Sequence, residues 1–340
     1  MKDTSYILIE LMLRQMIKKY KDDPKRSVRN LIDMAQNFAK GRFQRRFFEA
    51  AYSMLNNEES AYYELVDNVL MNVDTDRLIT LGMNIGYNSC TKGAGIIREK
   101  EAAENFDIPW SMSLEISSES EADLTDYIKL VEQGKNLGIY TWMIFADHRP
   151  EGFLDIISQQ TECAFVLFCE PDIITEEFLD EISPLKNLML CIHYTDRTET
   201  ACQRIHSRAM LCAVWLKYSE NNIRHLLDNT VIHRMENISP MLCVLVAEKD
   251  CPTEVQKKAA EYAANARMSQ QYPFLMWEYL QDGMTVDTII SDDPCSAYFD
   301  GKGYFHSYFH SYSDGKCSEE LNFHNNSFRY IINNAFYTSR

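Results

Sequence analysis

The stretch that decides the fold begins at Ile108 with IPWSMSLEI. It continues from Asp123 to Pro150 as DLTDYIKLVEQGKNLGIYTWMIFADHRP, and from Ala164 to Thr195 as AFVLFCEPDIITEEFLDEISPLKNLMLCIHYT. Four short apolar runs, Trp110–Ile116, Ile139–Phe145, Ala164–Cys169 and Leu188–His193, alternate with segments of helical period. Apolar runs of this length between helical patterns mark βαβ units and a parallel sheet. Strands covered on both faces read as continuous apolar runs rather than alternating ones.

Working outward, the same rhythm continues. A helix over Glu199–Ala209 leads to a strand at Met210–Lys217, a helix over Asn221–Val231 to a strand at Met241–Ala247, and an Ala-rich helix over Glu254–Ser269 to the apolar segment Tyr272–Tyr279. Six to seven strands in alternation with helices predict an α/β fold, a partial or closed TIM-like (β/α) barrel. A doubly wound sheet satisfies the same alternation. Upstream, residues 4–20, 27–40, 42–56 and 59–72 carry helical periodicity, and Asp74–Tyr87 and Gly93–Asn105 read as two further helices. Gly93 and Gly95 read as a turn, because they neither follow a strand nor complete GxGxxG. Downstream, Cys295–Tyr312 alternates aromatic and polar residues around Asp300-Gly-Lys-Gly303, a hairpin signal, and residues 326–337 read as a closing helix. The expected organisation is a helical domain over 1–107, the barrel over 108–280 and an extension over 281–340.

Composition narrows the function. The formal charge of −16 argues against a nucleic-acid partner, since phosphate binding needs a basic face. No apolar run approaches the roughly 18 residues that span a bilayer, and the N-terminal helix is amphipathic rather than a signal peptide. A cytoplasmic protein whose ten cysteines are reduced is the expectation. GxSxG, P-loop and HExxH motifs are all missing.

The order of segments resembles the radical S-adenosylmethionine enzymes, and among them a bacterial group with a C-terminal SPASM-like extension. IPWSMSLEI resembles the first barrel strand, DLTDYIKLVEQGKNLGIYTWMI the following helix and second strand, and FCEPDIITEEFLDEISPLKNLMLCIH the third strand, helix and fourth strand. Phe299-Asp-Gly-Lys-Gly-Tyr-Phe305 and Ser311-Tyr-Ser-Asp314 resemble the hairpin of the extension. The likeness covers residues 80–315. The resemblance implies a CxxxCxxC loop after the first strand, whose thiolates hold a [4Fe–4S] cluster. Here that place reads Ile116-Ser-Ser-Glu-Ser-Glu-Ala-Asp123, and no CxxC or CxxxC occurs in the chain. A Gly-Gly-Glu-Pro after the second strand is likewise replaced by Ala146-Asp-His-Arg-Pro150, where side chains obstruct the close approach that glycine permits. The extension's cysteine region reads His306-Ser-Tyr-Phe-His310. The expectation is a degenerate member without iron–sulfur cofactor or metal, acting as a binding or partner protein beside an intact paralogous enzyme. Whether S-adenosylmethionine binding survives stays open.

Function in barrels sits at the C-terminal strand ends. That edge offers Asp147, His148 and Arg149 after the second strand, Glu170 and Asp172 after the third, and His193 and Tyr194 after the fourth. Lys217 and Tyr218 follow the fifth strand, and Glu248, Lys249 and Asp250 the sixth. The ligand-binding set expected from these is Asp147, His148, Arg149, Glu170, His193, Lys217 and Glu248. An alternative is metal-free acid–base chemistry, with His148 carrying the proton, Glu170 orienting it and Lys217 clamping an anion. Cys163, Cys169, Cys191, Cys212 and Cys243 sit in or beside strands and read as small core hydrophobes. Cys295 and Cys317 flank the hairpin and are too few to hold a cluster. His306 and His310, about 13 Å apart on a strand at roughly 3.3 Å per residue, cannot share one metal. With Tyr304, Tyr308 and Tyr312 they read as an aromatic ladder.

Overall fold

Each apolar run becomes a strand, and the chain lays those strands down in the order it makes them. The computed structural model describes residues 4–20, 24–38, 41–55, 57–117, 124–228, 230–308 and 321–336. The strands are β1 (Ser111–Ile116), β2 (Thr141–Ala146), β3 (Ala164–Cys169), β4 (Leu188–His193), β5 (Cys212–Tyr218), β6 (Leu242–Ala247) and β7 (Leu275–Glu278), all parallel. The short strand β8 (Ala297–Phe299) adds in parallel to β1, and β9 (Phe305–Ser307) pairs antiparallel with β8. The sheet order β7-β6-β5-β4-β3-β2-β1-β8-β9 leaves β7 and β9 as free edges. The sheet is therefore a curled, open half-barrel. Sequential order also removes the doubly wound alternative, which requires a point where the strand order reverses.

The helices that precede the sheet are α1 (Thr4–Lys19), α2 (Pro24–Phe38), α3 (Arg42–Leu55), α4 (Tyr62–Asn72), α5 (Thr75–Met83) and α6 (Ala94–Glu104). Within and after it come α7 (Leu124–Leu137), α8 (Glu151–Gln159), α9 (Glu176–Ile182), α10 (Thr198–Ser207), α11 (Ile223–Leu227), α12 (Thr230–Ile238), α13 (Thr253–Ser269), α14 (Tyr279–Ser291) and α15 (Phe328–Ala335). Alternation along each strand decides which side chains meet which layer. Met112, Leu114, Trp142, Ile144, Phe165, Leu167, Leu190 and Ile192 join the helices in one continuous core on the convex face. Ala164, Val166, Phe168, Met189, Cys191, Ala213, Trp215 and Val244 point the other way, against Leu81, Val69, Val73 and Ile85 of the helical lead-in. The lead-in thus closes the N-terminal end of the half-barrel from inside.

Polar clamps fix that closure. The buried guanidinium of Arg77 donates to the carbonyls of Ser183, Leu185 and Leu188 at 2.9, 2.5 and 3.2 Å, just ahead of and at the start of β4. Asn84 donates to the carbonyls of Thr161 and Cys163, and Asn88 to that of Glu162, holding the turn into β3. Each bond satisfies a carbonyl that burial would otherwise leave without a donor.

Three elements differ from the sequence reading. Gly93 does not sit in a turn: a π-helical stretch, Asn84–Gly93, runs without a break into α6. Gly93 is required there because a Cβ would lie 2.2 Å from the Gly138 carbonyl oxygen. The helix expected over Asn221–Val231 is two helices, α11 and α12, because the Asp228 side chain accepts from the Thr230 backbone N–H and starts a second helix. Helix α14, not foreseen, follows β7 directly. Glu278 caps it, accepting from the Gln281 N–H at 2.6 Å.

Candidate functional site at the mouth of the half-barrel

At the C-terminal strand ends the concave face carries a layer of aromatic rings. Phe145 and Phe168, neighbours on β2 and β3, stack with centroids 4.3 Å apart. Trp215 meets them edge-on at 6.1 and 6.0 Å, and Tyr279 from the start of α14 at 5.4 and 6.0 Å. The Tyr279 hydroxyl hydrogen-bonds Ser113 Oγ of β1. Burial pushes that phenol well above its ordinary range. Edge-on and offset ring packing of this kind is favourable beyond the area it buries.

Two carboxylate–imidazole pairs flank this floor. On one side His193 Nδ1 lies 2.9 Å from Glu170 Oε1, and its ring stacks on Trp215 at 4.4 Å. On the other, His306 Nε2 lies 2.8 Å from Asp300 Oδ2, with the Tyr298 ring stacked on it at 4.7 Å. Between them Glu115 projects from β1. Desolvation raises its carboxyl above the ordinary range and the charge of Asp300 adds to the effect, while His306 and Lys249 act in the opposite direction.

The residues singled out from sequence separate into those the fold gathers and those it does not. Glu170, His193 and Lys217 converge on Trp215, with Lys217 Nζ 5.1 Å from the indole centroid. Asp147 and His148 hydrogen-bond each other at 2.6 Å near solvent, so the expected His148–Glu170 pairing is not formed and His193 takes that carboxylate instead. Arg149 turns toward α9, pairing with Glu181, lying 3.6 Å from Glu177 and covering the Phe178 ring. Asp172 pairs with Arg197. Glu248 is exposed; its backbone N–H donates to the Tyr218 carbonyl and its own carbonyl accepts from the Cys251 N–H.

Ser113, Glu115, Tyr279, Tyr298 and Asp300 were not selected from the sequence. For the first two, the alternation Ser111, Ser113, Glu115 against Met112, Leu114, Ile116 is a signal that was there to use. In the hairpin His306 stacks on Tyr298, and Tyr308 lies beside Tyr298 at 5.4 Å, rather than in a ladder with Tyr304. Tyr304 instead bridges to Asn322. His310, Tyr312 and Cys317 lie outside the described residues, as does the segment 118–123. The nine described cysteines are all buried. Burial pushes the thiols of Cys90 and Cys163 up to about 12. Among the described residues no three His, Cys, Asp or Glu side chains are placed to hold a metal ion, and no helix is long and apolar enough to cross a membrane. A separate cavity of about 640 Å³ lies at the opposite end of the strands, lined by Tyr6, Tyr87 and Lys92 together with the clamping Asn84 and Asn88.

A singly wound, open, mostly parallel sheet with helices packed on its outer face is a partial TIM-like half-barrel. Among solved structures the chain is similar to SuiB of Streptococcus suis bound to S-adenosylmethionine. The TM-score is 0.54 at 8% identity, covering 70% of this chain and 67% of that one. A further crystal structure of SuiB gives a TM-score of 0.54 at 8% identity, over 70% and 69% of the two chains. At this identity the likeness is one of fold. No protein-family model matches the sequence, and no curated protein does.

Proposed function

We propose that this chain is a radical-SAM-like half-barrel that works without an iron–sulfur cluster, as a binding or partner protein beside a separate enzyme. One observation carries the reading. No cysteine occurs between Cys90 and Cys163, through β1, the segment after it, α7 and β2, and every described cysteine is packed into the core. A [4Fe–4S] cluster needs deprotonated thiolates grouped at one surface. The described thiols are instead buried inside the core, raised by that burial at Cys90 and Cys163, and even the neighbours Cys202 and Cys212, with Sγ atoms 3.0 Å apart, lie away from any surface. The donor set does not fit the cluster.

The test is anaerobic reconstitution with iron and sulfide, followed by iron content and visible absorbance. The expected result is no stoichiometric iron. Binding of about four irons per chain would defeat the proposal. Affinity purification from the native host, expected to bring down a cluster-containing partner, tests the partner role.

A second reading draws support from Glu115, Asp300 and His306. A raised carboxyl next to a carboxylate–imidazole pair, at the edge where barrels hold their sites, is suited to metal-free proton transfer. On this reading His306 and Glu115 carry the proton in place of His148. An activity that tracks Glu115→Gln would favour it.

A further inference from the structure

The inner face of β5 holds donors without a hydrogen-bond or ion-pair partner among the described residues. Trp215 is 6% exposed, yet its indole Nε1–H has no hydrogen-bond partner among the described residues. Buried donors are nearly always matched, so an unmatched one on the wall of a functional edge points to a group from outside the chain. Lys217 stands two residues along the same strand and therefore on the same face. Its Nζ lies 5.1 Å from the Trp215 ring centroid, and it makes no ion pair among the described residues. The two arginines of this rim are engaged, Arg149 with Glu181 and Arg197 with Asp172, while Lys249 lies near enough to Glu115 to act on its charge. The Glu170 carboxylate is held by His193 Nδ1 at 2.9 Å.

We infer that the Trp215 indole N–H and the Lys217 ammonium together bind a small oxyanion, a carboxylate or phosphate group. Both groups are donors only, so a single partner satisfies them together only by accepting from both. An oxyanion does this with separate oxygens, and its charge strengthens each bond. The flat His193 ring on Trp215 and the edges of Phe145 and Phe168 wall the indole with apolar surface. Such surface keeps the local dielectric below that of water and raises the strength of a charged contact. The site stands whether the half-barrel acts as a partner protein or as an enzyme.

The experiment is nuclear magnetic resonance of the folded full chain with its tryptophan indoles labelled with ¹⁵N. Four tryptophans give four indole signals, and Trp215→Phe assigns the relevant one. Inorganic phosphate and, separately, acetate are titrated at constant ionic strength made up with chloride. A saturable shift of the Trp215 signal is expected, with its midpoint raised about tenfold in Lys217→Met, the loss of one charged contact. Thermal unfolding of Lys217→Met is expected to match the parent, because the side chain is exposed. A response to phosphate alone identifies a phosphate site, and a response to acetate a carboxylate site. No saturable shift with either ion, or an unchanged midpoint in Lys217→Met, overturns the assignment.

Discussion

Asp287 ties the stability of this fold to pH in a direction opposite to most carboxylates. It is 1% exposed on α14, where it accepts from the Trp110 backbone N–H at 3.1 Å and from the Ser296 hydroxyl. Burial outweighs those bonds and pushes its carboxyl up to about 7. The unfolded value is about 3.9. A folded pKa raised above the unfolded one means that the native state keeps a proton the unfolded chain has released. Its contribution is fully present below about pH 4, falls as pH rises, and is gone above about pH 7. Three pKa units correspond to about 4 kcal/mol across that window. Asp287→Asn removes the titration and keeps an acceptor for Trp110 and a group for Ser296. Urea unfolding of parent and variant between about pH 5 and pH 8 isolates the effect, because other titrating groups cancel in the difference. The stability of the variant relative to the parent is expected to rise steadily with pH and level off above about 7. A difference that stays flat across the range would refute the reasoning.

Other perturbations test the remaining joints of the structure. Arg77→Met leaves the carbonyls of Ser183, Leu185 and Leu188 without their donor and is expected to cost roughly 3 kcal/mol in urea unfolding; a loss under about 0.5 kcal/mol would contradict the clamp. Gly93→Ala places a methyl 2.2 Å from the Gly138 carbonyl oxygen, and a loss of about 2 kcal/mol or more is expected in thermal unfolding. Tyr218→Phe deletes the 2.6 Å bond to the fully buried Glu278, with an expected cost of about 2 kcal/mol; an unchanged melting temperature would show that Glu278 finds another donor.

The half-barrel explains why the inner edge combines rigidity with unused polar groups. Strands β2 to β5 are buried on both faces, so their positions are set by packing rather than by whatever lies at the mouth. The side chains at their ends are then free to differ in chemistry without disturbing the sheet. Glu170, His193 and Lys217 exploit that freedom on one side, and Glu115 and Asp300 with His306 on the other.

The strands from β2 to β6 were legible in the sequence because a parallel strand covered on both faces is apolar along most of its length, and β1 because its apolar residues alternate with Ser111, Ser113 and Glu115 between helical segments. The helical lead-in and the hairpin were legible for the same kind of reason, a period imposed by one element on itself. Gly93 was misread because a π-helix does not keep the 3.6-residue period, and because the contact that demands glycine comes from Gly138, 45 residues on. Which histidine meets Glu170 was decided by register. Cys169 lies opposite Ile192 across β3 and β4, which brings Glu170 level with His193, while the adjacent strand carries His148 past its own end to Asp147. The aromatic floor is drawn from β2, β3, β5 and α14, and His306 reaches the mouth only because β8 docks beside β1. Local sequence determines which element forms and which residues share a face. The pairing of residues from different elements depends on register and curl, and these are properties of the whole sheet.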